Sequence, residues 1–62
     1  MKNARQNVEC TIEKLQTAKN DLKNALSTVE KDENRKNIQC SLEAVENALR
    51  QTENTINNYV EH

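Results

Sequence analysis

The chain states one pattern twice. Asn7-Val8-Glu9-Cys10-Thr11-Ile12-Glu13 returns thirty residues later as Asn37-Ile38-Gln39-Cys40-Ser41-Leu42-Glu43. Asn, Cys and Glu are identical, and Val/Ile, Thr/Ser and Ile/Leu are like for like. Leu15/Val45, Ala18/Ala48, Asn24/Asn54 and Leu26/Ile56 continue the match. Whatever the first half folds into, the second half has the same reason to fold into, so two related elements are expected.

The spacing says which element. From Val8 the apolar residues fall at Val8, Ile12, Leu15, Ala18, Leu22, Ala25, Leu26 and Val29, in steps of one to four that hold to one helical face, with no strand-like alternation. With Val8 at heptad position a, positions a of the first half are Val8, Leu15, Leu22 and Val29. Thr11, Ala18 and Ala25 take d; Ile12, Lys19 and Leu26 take e. In the second half Ile38, Val45, Thr52 and Tyr59 take a, Ser41, Ala48 and Thr55 take d, and Leu42, Leu49 and Ile56 take e. Positions a, d and e make a face broad enough for a packed bundle. Small residues at d let two backbones approach closely, with larger a and e neighbours closing over the seam.

Glu30 to Lys36 is the long run without an apolar residue. A repeat offset of 28 would continue the heptads. At 30, one straight helix would turn the second stripe about 120° away from the first, and a turn removes that conflict. The chain contains no Gly and no Pro, so Asn34 is the candidate for a left-handed cap. Ser27 with Glu30 offers a capping box, and Asp32 or Asn34 a later cap. The expectation is a single all-α domain over 1–62: helix about 4–28, turn about 28–34, helix about 34–60, folded into an antiparallel hairpin with coiled-coil-like packing. Met1 to Asn7 is read as a polar lead-in that frays or forms the first turn. The alternative is one continuous helix pairing with a second chain.

Two helices cannot fully bury a face this wide, and a 62-residue chain is near the size at which a lone core becomes marginal. Self-association is therefore expected, most simply as a C2 homodimer forming a four-helix bundle. Its packing and interaction face comprises Val8, Ile12, Leu15, Ala18, Leu22, Ala25, Leu26, Val29, Ile38, Leu42, Val45, Ala48, Leu49, Ile56 and Tyr59. A further protein partner is left open.

Several function classes find little support. A net charge of −1 argues against binding driven by bulk electrostatics, and the scattered Lys and Arg form no basic stripe, so no nucleic-acid partner is expected. No apolar run is long enough to span a bilayer, and the N-terminus leads into no apolar signal core. A cytoplasmic protein with reduced thiols is the expectation. Cys10 and Cys40, without CxxC spacing, and the terminal His62 cannot assemble a four-ligand site in one hairpin, so neither a metal nor another cofactor is expected. Glu9/Glu13 and Glu43/Glu46 pair carboxylates at helical spacing, but a hairpin has no cleft to shift their pKa values. No enzyme is expected. Glu9 with Glu13 repel mildly, while Asp32 with Lys36 and Glu46 with Arg50 support the helix.

Cys10 and Cys40 both fall at c, away from the apolar face and towards opposite ends of an antiparallel hairpin. An intramolecular bridge needs Cα atoms within about 7 Å and is not expected. The competing functional reading is a redox-responsive protein forming intermolecular disulfides through these thiols. Tyr59, at a, is placed to cover the open end of the bundle with its hydroxyl in water. Nine of the ten asparagines fall at c, f or g, making the outer face polar but weakly charged.

Val8, Thr11, Ile12, Leu15, Ala18 and Leu22 fit the pattern V-x-x-T-I/L-x-x-L-x-x-A-x-x-x-L, and Ala25-Leu26-Ser27-Thr28 fits the A-L-x-T that follows, with a one-residue adjustment. In this the chain resembles the short uncharacterised two-helix proteins of spore-forming Gram-positive bacteria, often encoded beside spore membrane-channel genes. The resemblance covers about two thirds of the chain. It departs in lacking that family's Pro-containing tail and in carrying two cysteines. It implies a sporulation-linked helical protein and carries no site residues.

Overall fold

The computed structural model describes residues 3–60 as two helices, α1 (Ala4–Thr28) and α2 (Asp32–Asn57), packed against each other. There is no strand among the described residues. Residues 29–31 form the connection, short enough to make the helices antiparallel neighbours. The longest dimension is 50 Å, whereas one straight helix over residues 4–57 would run about 80 Å. The continuous helix is therefore excluded.

Helix α1 begins with a capping box. The Asn3 side-chain oxygen accepts from the Gln6 backbone N–H at 2.8 Å, and the Gln6 side-chain oxygen accepts from the Asn3 backbone N–H at 3.0 Å. Two of the donors a helix start leaves open are thus satisfied reciprocally. The N-terminal stretch from Asn3 onward is an anchored helix start. Met1 and Lys2, the rest of the expected lead-in, lie outside the described residues.

The turn is built differently from expectation. Val29 (φ −70°, ψ 137°) and Lys31 (φ −88°, ψ 131°) are both extended, and no described residue has a positive φ. Asn34, the candidate for a left-handed cap, lies inside α2. Ser27 does not cap α2 with Glu30: it belongs to α1, where its hydroxyl donates to the Asn24 carbonyl at 2.7 Å. Lys31 occupies the N-cap of α2 with no side-chain hydrogen bond, so neither Asp32 nor Asn34 caps it. Asp32 and Glu33 in the first turn place negative charge at that helix start instead.

Arg35 explains why no left-handed residue is needed. From the first turn of α2 its guanidinium reaches back across the connection, donating to the Leu26 carbonyl at 3.1 Å and the Val29 carbonyl at 2.8 Å. The Val29 N–H donates to the Ala25 carbonyl at 2.9 Å. Carbonyls that a glycine-terminated helix would satisfy through backbone amides are met here by a cation, which also suits the negative end of the α1 dipole. At the other end, α2 stops at Asn57 and Asn58 caps it, its side-chain amide donating to the Asn54 carbonyl at 2.9 Å.

The core is thin. Leu42 (5% exposed) and Leu49 (7%) are the buried hydrophobic residues. Both stand at position e of α2. The rest of the expected packing face is half-buried, while Ala4 and Ala44 are exposed, as expected when each helix has one neighbour.

Candidate functional site

Each helix meets the other through its a and e rows, which leaves b on one flank and d on the other. Because the helices run antiparallel, the two b rows share one broad side of the hairpin and the two d rows share the opposite side. The contacts agree. Lys19, at e, reaches Glu46, at b, across the helices with 3.8 Å between Nζ and Oε2. On the same side Gln16, Lys19, Asn20 and Lys23 of α1 line an open groove of about 410 Å³ with Leu49 and Glu53 of α2.

The expected packing residues divide by row. Val8, Ile12, Leu15, Leu22, Leu26 and Val29 of α1 and its cap are half-buried, as are Ile38, Val45, Ile56 and Tyr59 of the second half. Leu42 and Leu49 are buried between the helices. In the d rows Ala18, Ala25 and Ala48 are half-buried, while Thr11, Ser41 and Thr55 are exposed. The deepest burial thus lies in the e row of α2, with the small d residues along one flank.

Exposure does not leave the d hydroxyls idle. Thr11 donates to the Asn7 carbonyl at 2.9 Å, Ser41 to Asn37 at 3.1 Å and Thr55 to Gln51 at 3.1 Å. Each turns its proton back into its own helix. Thr52, at a, does the same to Ala48 at 2.7 Å.

Cys10 is half-buried and Cys40 exposed, and both are thiols. With the connection centred on Glu30, Cys10 stands opposite about residue 50, and Cys40 lies about 15 Å further along the axis. Both also sit beyond the first turn of their helices, where the positive end of the dipole is concentrated. The structure therefore does not bring the two sulfurs together.

Of the carboxylates, Glu13 and Glu43 are exposed on the outside of the pair and Glu9 is exposed on its b side. Glu46 engages Lys19 across the hairpin, not Arg50, whose guanidinium donates to the Asn47 side chain at 3.2 Å. Among the described residues no three His, Cys, Asp or Glu side chains group as a metal site, and no helix is long and apolar enough to cross a membrane. His62 lies outside the described residues. Tyr59 is half-buried just past the end of α2, its backbone N–H donating to the Ile56 carbonyl at 3.3 Å.

Three residues that matter were not singled out from the sequence. Asn3-x-x-Gln6 has the capping-box spacing with Asn and Gln in place of the commoner Ser and Glu. Arg35 carries no local signal, because its targets, the Leu26 and Val29 carbonyls, lie at the end of α1 and on its C-cap.

These features define an all-helical hairpin. No protein-family model, curated protein or solved structure matches the chain.

Proposed function

We propose that this chain is a small non-enzymatic interaction module that pairs with a second copy of itself into a four-helix bundle. The observation that carries the reading is surface. A compact monomer of 7.1 kDa exposes about 4,100 Å², and this hairpin exposes 4942 Å². The excess, roughly 850 Å², is close to what one partner contributes to a standard protein–protein interface. A core of two buried leucines points the same way, since a second hairpin would cover half-buried a residues from outside. The cytoplasm, where both thiols would stay reduced, is the compartment that suits this role. A link to sporulation rests on the resemblance carried by Val8 to Thr28, and expression timed to spore formation is its test.

The experiment is sedimentation equilibrium under reducing conditions across a hundredfold range of concentration. A mass rising to twice the 7.1 kDa of the chain supports self-association, and a constant monomer mass rejects it.

One observation favours a second reading. Cys40 is exposed on the outer side of α2, open to a thiol from another molecule, so mild oxidation would join copies through disulfides. A non-reducing gel after oxidation, with Cys10→Ser and Cys40→Ser controls, separates the two: a dimer that survives both substitutions does not depend on the thiols.

A further inference from the structure

The hairpin is a plank of 50 × 20 × 12 Å, and its two broad sides differ chemically. On the b side, Glu9, Gln16 and Lys23 of α1 and Gln39, Glu46 and Glu53 of α2 are each charged or a glutamine. Lys19 and Glu46 are paired there, and the groove beside them is lined by polar groups apart from Leu49. On the d side, Thr11, Ala18 and Ala25 of α1 and Ser41, Ala48 and Thr55 of α2 include no charge. The three hydroxyls of that side already donate within their helices, which lowers the cost of removing them from water.

We infer that the d side is the surface on which a second copy docks. This rests on the self-association reading and specifies its geometry. The surface excess of roughly 850 Å² calls for one partner-sized contact, and a face about 50 by 20 Å can supply it. The b side cannot do so at comparable cost: two copies meeting there would bury like charges against each other, since Glu9, Glu46 and Glu53 outnumber Lys19 and Lys23 on that side.

The internal repeat fixes how the copies lie. An antiparallel pair of related helices has an approximate twofold axis normal to the plank, relating Thr11 to Ser41, Ala18 to Ala48 and Ala25 to Thr55. Both helices therefore offer the partner the same d row. The middle of the face falls level with Leu15 on α1 and Val45 on α2, between Thr11 and Ala18 and between Ser41 and Ala48 of the d rows. Alanine there lets the helices of the two copies approach to the short end of packing distances, about 8 Å, while the flanking a residues lose their remaining exposure.

The test compares equal charge changes on the two sides. Thr11→Glu with Ser41→Glu alters exposed d residues, and Gln16→Glu with Gln39→Glu alters exposed b residues, so both leave the hairpin's own seam intact. Sedimentation equilibrium of the full chain should show the d pair raising the dimer dissociation constant at least tenfold and the b pair changing it less than twofold. Far-UV circular dichroism checks helicity; if the d pair loses it, Thr55→Glu alone takes its place. A dimer weakened equally by both pairs, or only by the b pair, overturns the d-side assignment and leaves self-association standing. A wild-type chain that stays monomeric overturns both.

Discussion

Arg35 Nη1 lies 3.1 Å from the carbonyl oxygen of Leu26, nine residues earlier and on the other helix. With the second bond to Val29 at 2.8 Å, this side chain ends α1 and ties the start of α2 to it. A cation at a helix C-terminus contributes about 0.3–1 kcal/mol, and a hydrogen bond from a charged donor more. Arg35→Ala should therefore destabilise the hairpin by about 1–2 kcal/mol, lowering the thermal midpoint by roughly 5–10 °C. Arg35→Lys, which cannot bridge two carbonyls with a planar fork, should recover less than half. Thermal melts followed by circular dichroism decide it; a melt unchanged in Arg35→Ala would contradict the capping role.

The start of α2 has the opposite character. Lys31 occupies its N-cap in extended geometry without a side-chain bond, leaving a favourable position unused. Lys31→Ser should stabilise the fold by about 1 kcal/mol, because the serine oxygen accepts from a first-turn amide. Urea titration should show a higher midpoint with an unchanged slope. A lower midpoint would mean that Lys31 contributes something its geometry does not reveal.

Leu42 and Leu49 hold the core, at 5% and 7% exposure. Truncating either to Ala should cost about 2–3 kcal/mol, the low end for a buried leucine, because a core open on its sides can collapse around the gap. Val60, 67% exposed, is the matched control: Val60→Ala should shift stability by less than about 0.5 kcal/mol. Equal effects at the three positions would show that the e row of α2 is not the seam.

The Lys19–Glu46 pair spans 3.8 Å with side chains 31% and 37% exposed. At that exposure a pair is worth about 0.2–1 kcal/mol and is screened by salt. A double-mutant cycle of Lys19→Ala and Glu46→Ala should give a coupling near 0.5 kcal/mol at low salt that fades by 1 M. A coupling above about 2 kcal/mol would place the pair in a drier setting than the hairpin provides.

Helicity was legible in the sequence because it is local. Spacings that keep returning to one helical face from Val8 to Val29 and from Ile38 to Tyr59 place apolar groups on one side of a helix whatever they later meet. The break was legible from the repeat offset, since thirty residues would turn one stripe away from the other. The way the chain makes that break was not. The sequence suggests a left-handed Asn34 because the chain has no glycine, yet the structure uses two extended residues and satisfies the α1 carbonyls with Arg35. The Asn3–Gln6 capping box was within reach of local rules, its spacing being visible, but Asn and Gln stand in the places usually held by Ser and Glu.

The sequence by itself determined two related amphipathic helices, the need to fold between them, and an outer side rich in asparagine that carries Cys40. Only the tertiary structure decided which part of each broad a, d and e face meets the other helix. It chose a and e, burying Leu42 and Leu49 and leaving the d row on one flank. The physical reason is that a stripe wider than one neighbour can cover has no preferred centre until a second helix arrives. The position of that helix depends on the turn, and the turn on contacts between residues far apart in the chain.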